Sequence, residues 1–203
     1  MQDLQRYITN IRNHYLNIYM DAIKTFKAQH EQTEVEALGS MNGIEDRPEI
    51  FRWRRFDLVT HATQPPRMAN FRPDTHVNFE PQSYVWQRKM KVRLEPIAWN
   101  DVSFECTDFN LQKSQLEHWA VRWMDPNNQR PVDNHGMGNR IHAVTFPERK
   151  VNRTEFFVDF GSAPIQAFQE LLQVLMLAGT KKVRIRTHSL RASEAQQAEH
   201  QQA

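Results

Sequence analysis

Asp133, His135 and His142 lie within ten residues of one another, and their side chains are of the kinds that bind a metal or move a proton. They flank a loop containing Gly136 and Gly138, and a metal-dependent hydrolase is the chemistry such a trio would serve. None of the nine histidines stands in HExxH or another zinc spacing, and histidines scattered through a polar chain are more often surface residues. Asp125-Pro126-Asn127-Asn128 offers oxygen ligands but lacks the EF-hand spacing and its closing glutamate. Ser162 follows Gly161 without the GxSxG frame of a nucleophile elbow, and capping of the next helix explains it better. Gly136 and Gly138 alone do not make a phosphate loop. The single cysteine, Cys106, excludes an internal disulfide framework, and its alternating apolar surroundings suit a buried thiol. With no complete catalytic or cofactor motif, the chain is expected to be non-enzymatic and to need neither cofactor nor metal.

A second group has the chemistry of recognition. Residues 51–56 read FRWRRF, mixing aromatic rings with arginines. Arg52, Trp53, Arg54 and Arg55 are the candidate partner contacts. This mixture serves protein interfaces and single-stranded nucleic-acid sites, and structural arginines stacked on neighbouring rings would look the same. The group sits in a basic stretch. From Arg47 to Arg93 ten Arg and Lys face four Asp and Glu, although the whole chain of 203 residues is only +2. Such a stretch fits an acidic partner protein or a nucleic-acid-binding module.

The elements that must position these residues follow from periodicity. Leu4, Tyr7, Ile8, Ile11, Tyr15, Ile18, Tyr19, Ala22, Ile23 and Phe26 recur at three- and four-residue steps and predict a long amphipathic helix over residues 3–30. Its stripe packs on the body or pairs with a second copy of the chain as a homo-oligomer. Residues 31–88, broken by glycines and prolines, are expected to be irregular, apart from a short strand at 51–59. From Lys89 the pattern is regular. Strands are expected at 89–95 and 102–107, joined as a hairpin. Leu116, Trp119, Ala120 and Trp123 mark a helix, and Arg140–Phe146 a strand. Phe156, Val158 and Phe160 mark a strand with one buried face, Ile165 to Leu175 a helix stopped by Gly179, and Val183 with Ile185 a last strand with a basic outer face. Residues 189–203 form a frayed tail poor in bulky apolar side chains.

From Val102 the order is strand, helix, strand, strand, helix, strand. That order predicts an α+β fold, a ferredoxin-like split βαβ antiparallel sheet of four or five strands with two packed helices, preceded by the long N-terminal helix. Residues 89–188 form that α+β domain. The topology raises RNA recognition, but Glu105, Glu155 and Asp159 on the open face would repel phosphate, and Phe157 is the only ring there on its strand. Mean hydropathy is −0.73 and no apolar run approaches the roughly 18 residues that cross a bilayer. MQDLQRYITN has no apolar signal-peptide core, so a soluble, cytoplasmic protein without membrane contact is expected.

The segments HWAVRWMDPNNQR, IHAVTFP and FFVDFGSAPIQAFQELLQVLMLAG, within residues 117–179, resemble small bacterial immunity proteins of polymorphic-toxin and type VI secretion systems. The shared features are the tryptophan-bearing helix with its WxDP-like turn, the IH strand and the VDFGSAP strand-to-helix turn. The resemblance implies a protein that binds a cognate toxin and holds it inactive. It implies no catalytic residues.

Overall fold

The computed structural model describes residues 2–40, 53–69, 75, 77–107 and 113–187. They form a mixed α+β structure with three helices and two sheets. The elements in order are α1 (Gln2–Gln29), β1 (Thr33–Ser40), β2 (Trp53–Thr60), β3 (Arg67–Ala69), β4 (Gln82–Trp86), β5 (Met90–Leu94), β6 (Val102–Thr107), α2 (Lys113–Met124), β7 (Ala143–Val144), β8 (Glu148–Arg149), β9 (Thr154–Asp159), α3 (Ile165–Leu177) and β10 (Lys182–Thr187).

Helix α1 runs 28 residues, roughly 40 Å at the usual rise per residue. Leu4, Ile8, Ile11, Tyr15, Tyr19 and Ile23 are all buried in the chain's own core. The stripe therefore packs within the chain, beside α3 and β1. Arg12 fixes the helix to the α3 entry by donating to the Ala163 and Ser162 carbonyls.

The expectation of an irregular segment over residues 31–88 is corrected. Strands β1, β2 and β3 form an antiparallel sheet in that order, and β4 pairs with β5. The short strand expected at 51–59 is present as β2. Two signals hid β1 and β4. Glu36 of β1 occupies a buried position where a strand pattern calls for an apolar residue. The β4–β5 turn is made by Gln87 and Arg88, left-handed at φ 45° and 60°, rather than by the usual glycine or asparagine.

The larger sheet has strand order β4-β5-β10-β6-β9-β7, with β8 added to β9. The expected hairpin of 89–95 with 102–107 does not form. Strand β10 lies between them, parallel to β5 and antiparallel to β6. The connection at 96–101 is a buried corner: Ile97 and Trp99 are fully buried, and Trp99 stacks on Phe160 at 4.6 Å. One face of the sheet is apolar. Val183 pairs with Val92 and Cys106, and Ile185 with Leu94 and Phe104. Phe104 stacks on Phe156 at 5.1 Å and meets Phe168 of α3. Each such side chain contributes about 1.5–3 kcal/mol through burial.

Two further expectations change. The strand at 140–146 shortens to Ala143–Val144. Helix α3 begins after Pro164 with no side-chain cap, because Ser162 is engaged elsewhere. Gly179 does end α3, at φ 89°. The expected tail, 189–203, lies outside the described residues.

Candidate functional site

His142 lies where the two sheets meet. Its backbone N–H donates to Asp159 of β9, and its carbonyl accepts from Arg55 of β2. Its ring is completely buried and repeats the connection. Nε2 lies 3.0 Å from Glu36 Oε1 of β1, Nδ1 lies 2.8 Å from Asp57 Oδ1 of β2, and Asp159 Oδ1 stands 3.9 Å from Nδ1. A ring with a carboxylate at each nitrogen satisfies both only as an imidazolium, which donates twice. Burial alone would lower the His142 pKa. Hydrogen bonds to Asp57 and Glu36 and the charge on Asp159 outweigh it and raise the value to about 10.

The carboxylates divide. Burial would raise Glu36, but hydrogen bonds from His142, Ser162 and the Gly138 N–H at 2.7 Å hold it below its ordinary value. Asp159 moves the other way, to about 6, because burial and the nearby charge of Asp57 outweigh His142 and the Gly161 N–H. Glu36 itself sits at φ 53°, an uncommon conformation for a residue with a side chain, and it aims its carboxylate inward. Gly161, at φ 46°, passes close to the imidazole: a Cβ there would lie 2.2 Å from the ring. Tyr19 crosses the ring edge-on at 6.1 Å and donates to the Asp57 carbonyl.

The three motifs from residues 117–179 converge on this region. The WxDP turn supplies Asp125, which accepts from the Gln129 and Arg130 N–H groups and pairs with Arg140 at 2.9 Å. The IHAVTFP segment supplies His142, just before β7. VDFGSAP supplies Asp159, Gly161 and Ser162, whose hydroxyl accepts the Arg140 N–H. Asp125 and Asn128 are thus turn and ion-pair residues. Sequence reasoning missed Glu36 and Asp57 because isolated carboxylates in strands carry no motif.

The expected trio separates. His142 joins Glu36 and Asp57, while Asp133 accepts the His135 and Met137 N–H groups inside its own loop. Among the described residues no group of three or more His, Cys, Asp or Glu side chains has metal-holding geometry. Cys106 is buried and its thiol is pushed well up by desolvation.

Of the candidate contacts, Arg52 lies outside the described residues, and Trp53 opens β2 opposite Ser40. Arg54 is half-buried. Arg55 is 1 % exposed, which corrects its assignment as a surface contact. It donates to the Met124 and Asp125 carbonyls at the end of α2, to the Glu36 carbonyl and to Asn128. A cation at a helix C-terminus offsets the dipole, and here it also satisfies carbonyls the helix leaves free. Burial, then the charge of Arg140, lowers its pKa to about 10, which leaves it charged at neutral pH.

The reachable chemistry lies on the larger sheet's other face. A groove of about 660 Å³ crosses β4, β5, β10 and β6, and the β8–β9 turn closes one side. Its charged lining is Lys91, Arg93, Arg153, Lys182 and Arg184 against Glu105. Part of the basic 47–93 stretch thus reaches a groove through β5. No helix among the described residues is long and apolar enough to cross a membrane. No family model, curated protein or solved structure matches the chain.

Proposed function

We propose that this chain is a non-enzymatic binding protein, an immunity protein that captures a cognate toxin and holds it inactive. The groove on the larger sheet carries this reading: five cationic side chains line it, while three side chains of types that do chemistry, His142, Cys106 and Ser162, are buried at 2 % exposure or less. Chemistry on a substrate needs a reachable atom, and binding needs a reachable surface. The resemblance of residues 117–179 to immunity proteins adds the class of partner. The strand order β10-β6-β9-β7, with α2 and α3 in the intervening connections, supports a ferredoxin-like split βαβ core. Co-expression with the toxin encoded beside its gene is the test. Growth rescue and a stable complex are expected; neither rescue nor complex would overturn the reading.

A second reading, a nucleic-acid-binding module, is favoured by Lys91 and Arg93 of the basic stretch lining the groove. A salt titration with single-stranded RNA and DNA decides it: binding that is absent even at low salt removes this reading.

A further inference from the structure

The charges on the groove floor are unevenly matched. Arg93 and Arg184 are cross-strand partners, and Glu95 serves both: Arg184 reaches it with two bonds of 2.8 Å and Arg93 with one of 2.9 Å. One step along the same strands, Lys182 stands opposite Lys91. Strands in a sheet lie about 4.8 Å apart, and like charges directly opposite each other are destabilising. Among the described residues no carboxylate pairs with either lysine. Thr107 continues the row on β6, and Asn152 with Arg153 closes it from the β8–β9 turn. An apolar side chain stands beside this row: Val85, opposite Lys91 on β4, is 58 % exposed.

We infer that the groove docks an acidic segment of a partner protein, with its carboxylates on Lys91 and Lys182, beside Arg153, which Glu155 already holds, and its apolar side chains on Val85. The two adjacent ammonium groups form a site for carboxylate oxygens, and binding removes their mutual repulsion. A nucleic-acid strand fits less well. Glu105 lies in the groove and Glu95 beside it, so a uniformly anionic backbone meets repulsion that a mixed protein segment avoids. Among the described residues the only ring in the lining belongs to Tyr84, whose hydroxyl is buried, so the groove offers valines in place of a stacking platform. The inference rests on the binding-protein reading and adds the surface and the partner's chemistry.

The test uses the full chain with a labelled peptide of Glu-Val-Gly-Ser repeats, which carries carboxylates and apolar side chains together, at low ionic strength, read by fluorescence anisotropy and by backbone chemical-shift mapping. The expected result is saturable binding that weakens with salt, with shifts centred on Lys91, Lys182 and Arg153. K91E/K182E binds about tenfold more weakly or worse, and K91Q/K182Q falls between. Circular dichroism confirms that both variants stay folded; neither change touches the core. No binding at low salt, equal binding by K91E/K182E, or tighter binding of a single-stranded oligonucleotide in the same groove would overturn the inference. The toxin co-expression separates the two readings. Rescue by wild type and K91E/K182E alike removes the groove and keeps the immunity function. Failure of wild type removes that function, and the peptide experiment still decides the groove.

Discussion

His142 carries a positive charge in a place closed to water, held by carboxylates from both sheets. Removing one member of such a buried set strands the others. His142→Ala leaves Glu36, Asp57 and Asp159 without their common cation and is expected to cost about 3–5 kcal/mol in urea denaturation. A loss below about 1 kcal/mol would contradict the clamp. The pH dependence has a definite sign. The His142 pKa is about 10 folded, against about 6.5 unfolded, so its contribution is complete below the lower value and disappears as pH rises through about 10. Asp159 is also raised, to about 6 from about 3.9, so wild type loses stability between those values as Asp159 is forced to ionise. Asp159→Asn keeps an acceptor for the Gly161 N–H and cannot ionise. Its stability relative to wild type is therefore expected to climb between about pH 4 and pH 6; a flat difference in parallel denaturations would refute the assignment. Gly161→Ala combines a left-handed φ with a clash against the imidazole and is expected to cost roughly 2–4 kcal/mol in the same measurement.

At the scale of elements, β2 shows how a local pattern can mislead. FRWRRF has the composition of a contact surface, yet successive residues of a strand face opposite sides. Arg55 takes the inner side and ends α2, while Arg54 is half-buried. Arg55→Lys retains the charge but loses the planar fork that reaches Met124, Asp125 and Glu36 together. The expected loss is about 2–4 kcal/mol by thermal or urea unfolding, and a neutral result would show that these carbonyls find other donors. Helix α1 illustrates the opposite case. Its three- and four-residue apolar spacing identified the buried face directly, since Leu4, Ile8, Ile11, Tyr15, Tyr19 and Ile23 are all in the core. Ser162 was legible as a polar residue before a helix but not as a ligand of Glu36, which lies on a distant strand.

Across the whole molecule one buried apolar cluster runs from Leu4 of α1 through both sheets to Ile185 of β10. The N-terminal helix and the smaller sheet are therefore parts of the same core. Deleting residues 1–29 is expected to abolish cooperative unfolding, because it uncovers the apolar sides of α3 and β1. A truncated chain with a sharp thermal transition would show that the rest folds alone. The same architecture leaves the charged face of the larger sheet exposed, and among the described residues no carboxylate pairs with Lys91 or Lys182 there.

The faces of α1, α2 and α3 and the strands β6, β9 and β10 are legible in the order of residues alone, because those features are periodicities within a few residues. Tertiary structure decided what lies beside what. It placed β10 between β5 and β6, where sequence order suggested a hairpin. It brought His142 to Glu36, 106 residues away, and joined Arg55 to Asp125, 70 residues away. A charged residue in a strand reads as a surface residue until its counter-charges are in place. Only their arrival from distant segments makes burial affordable, so the clamp could not be read from the sequence of any one segment.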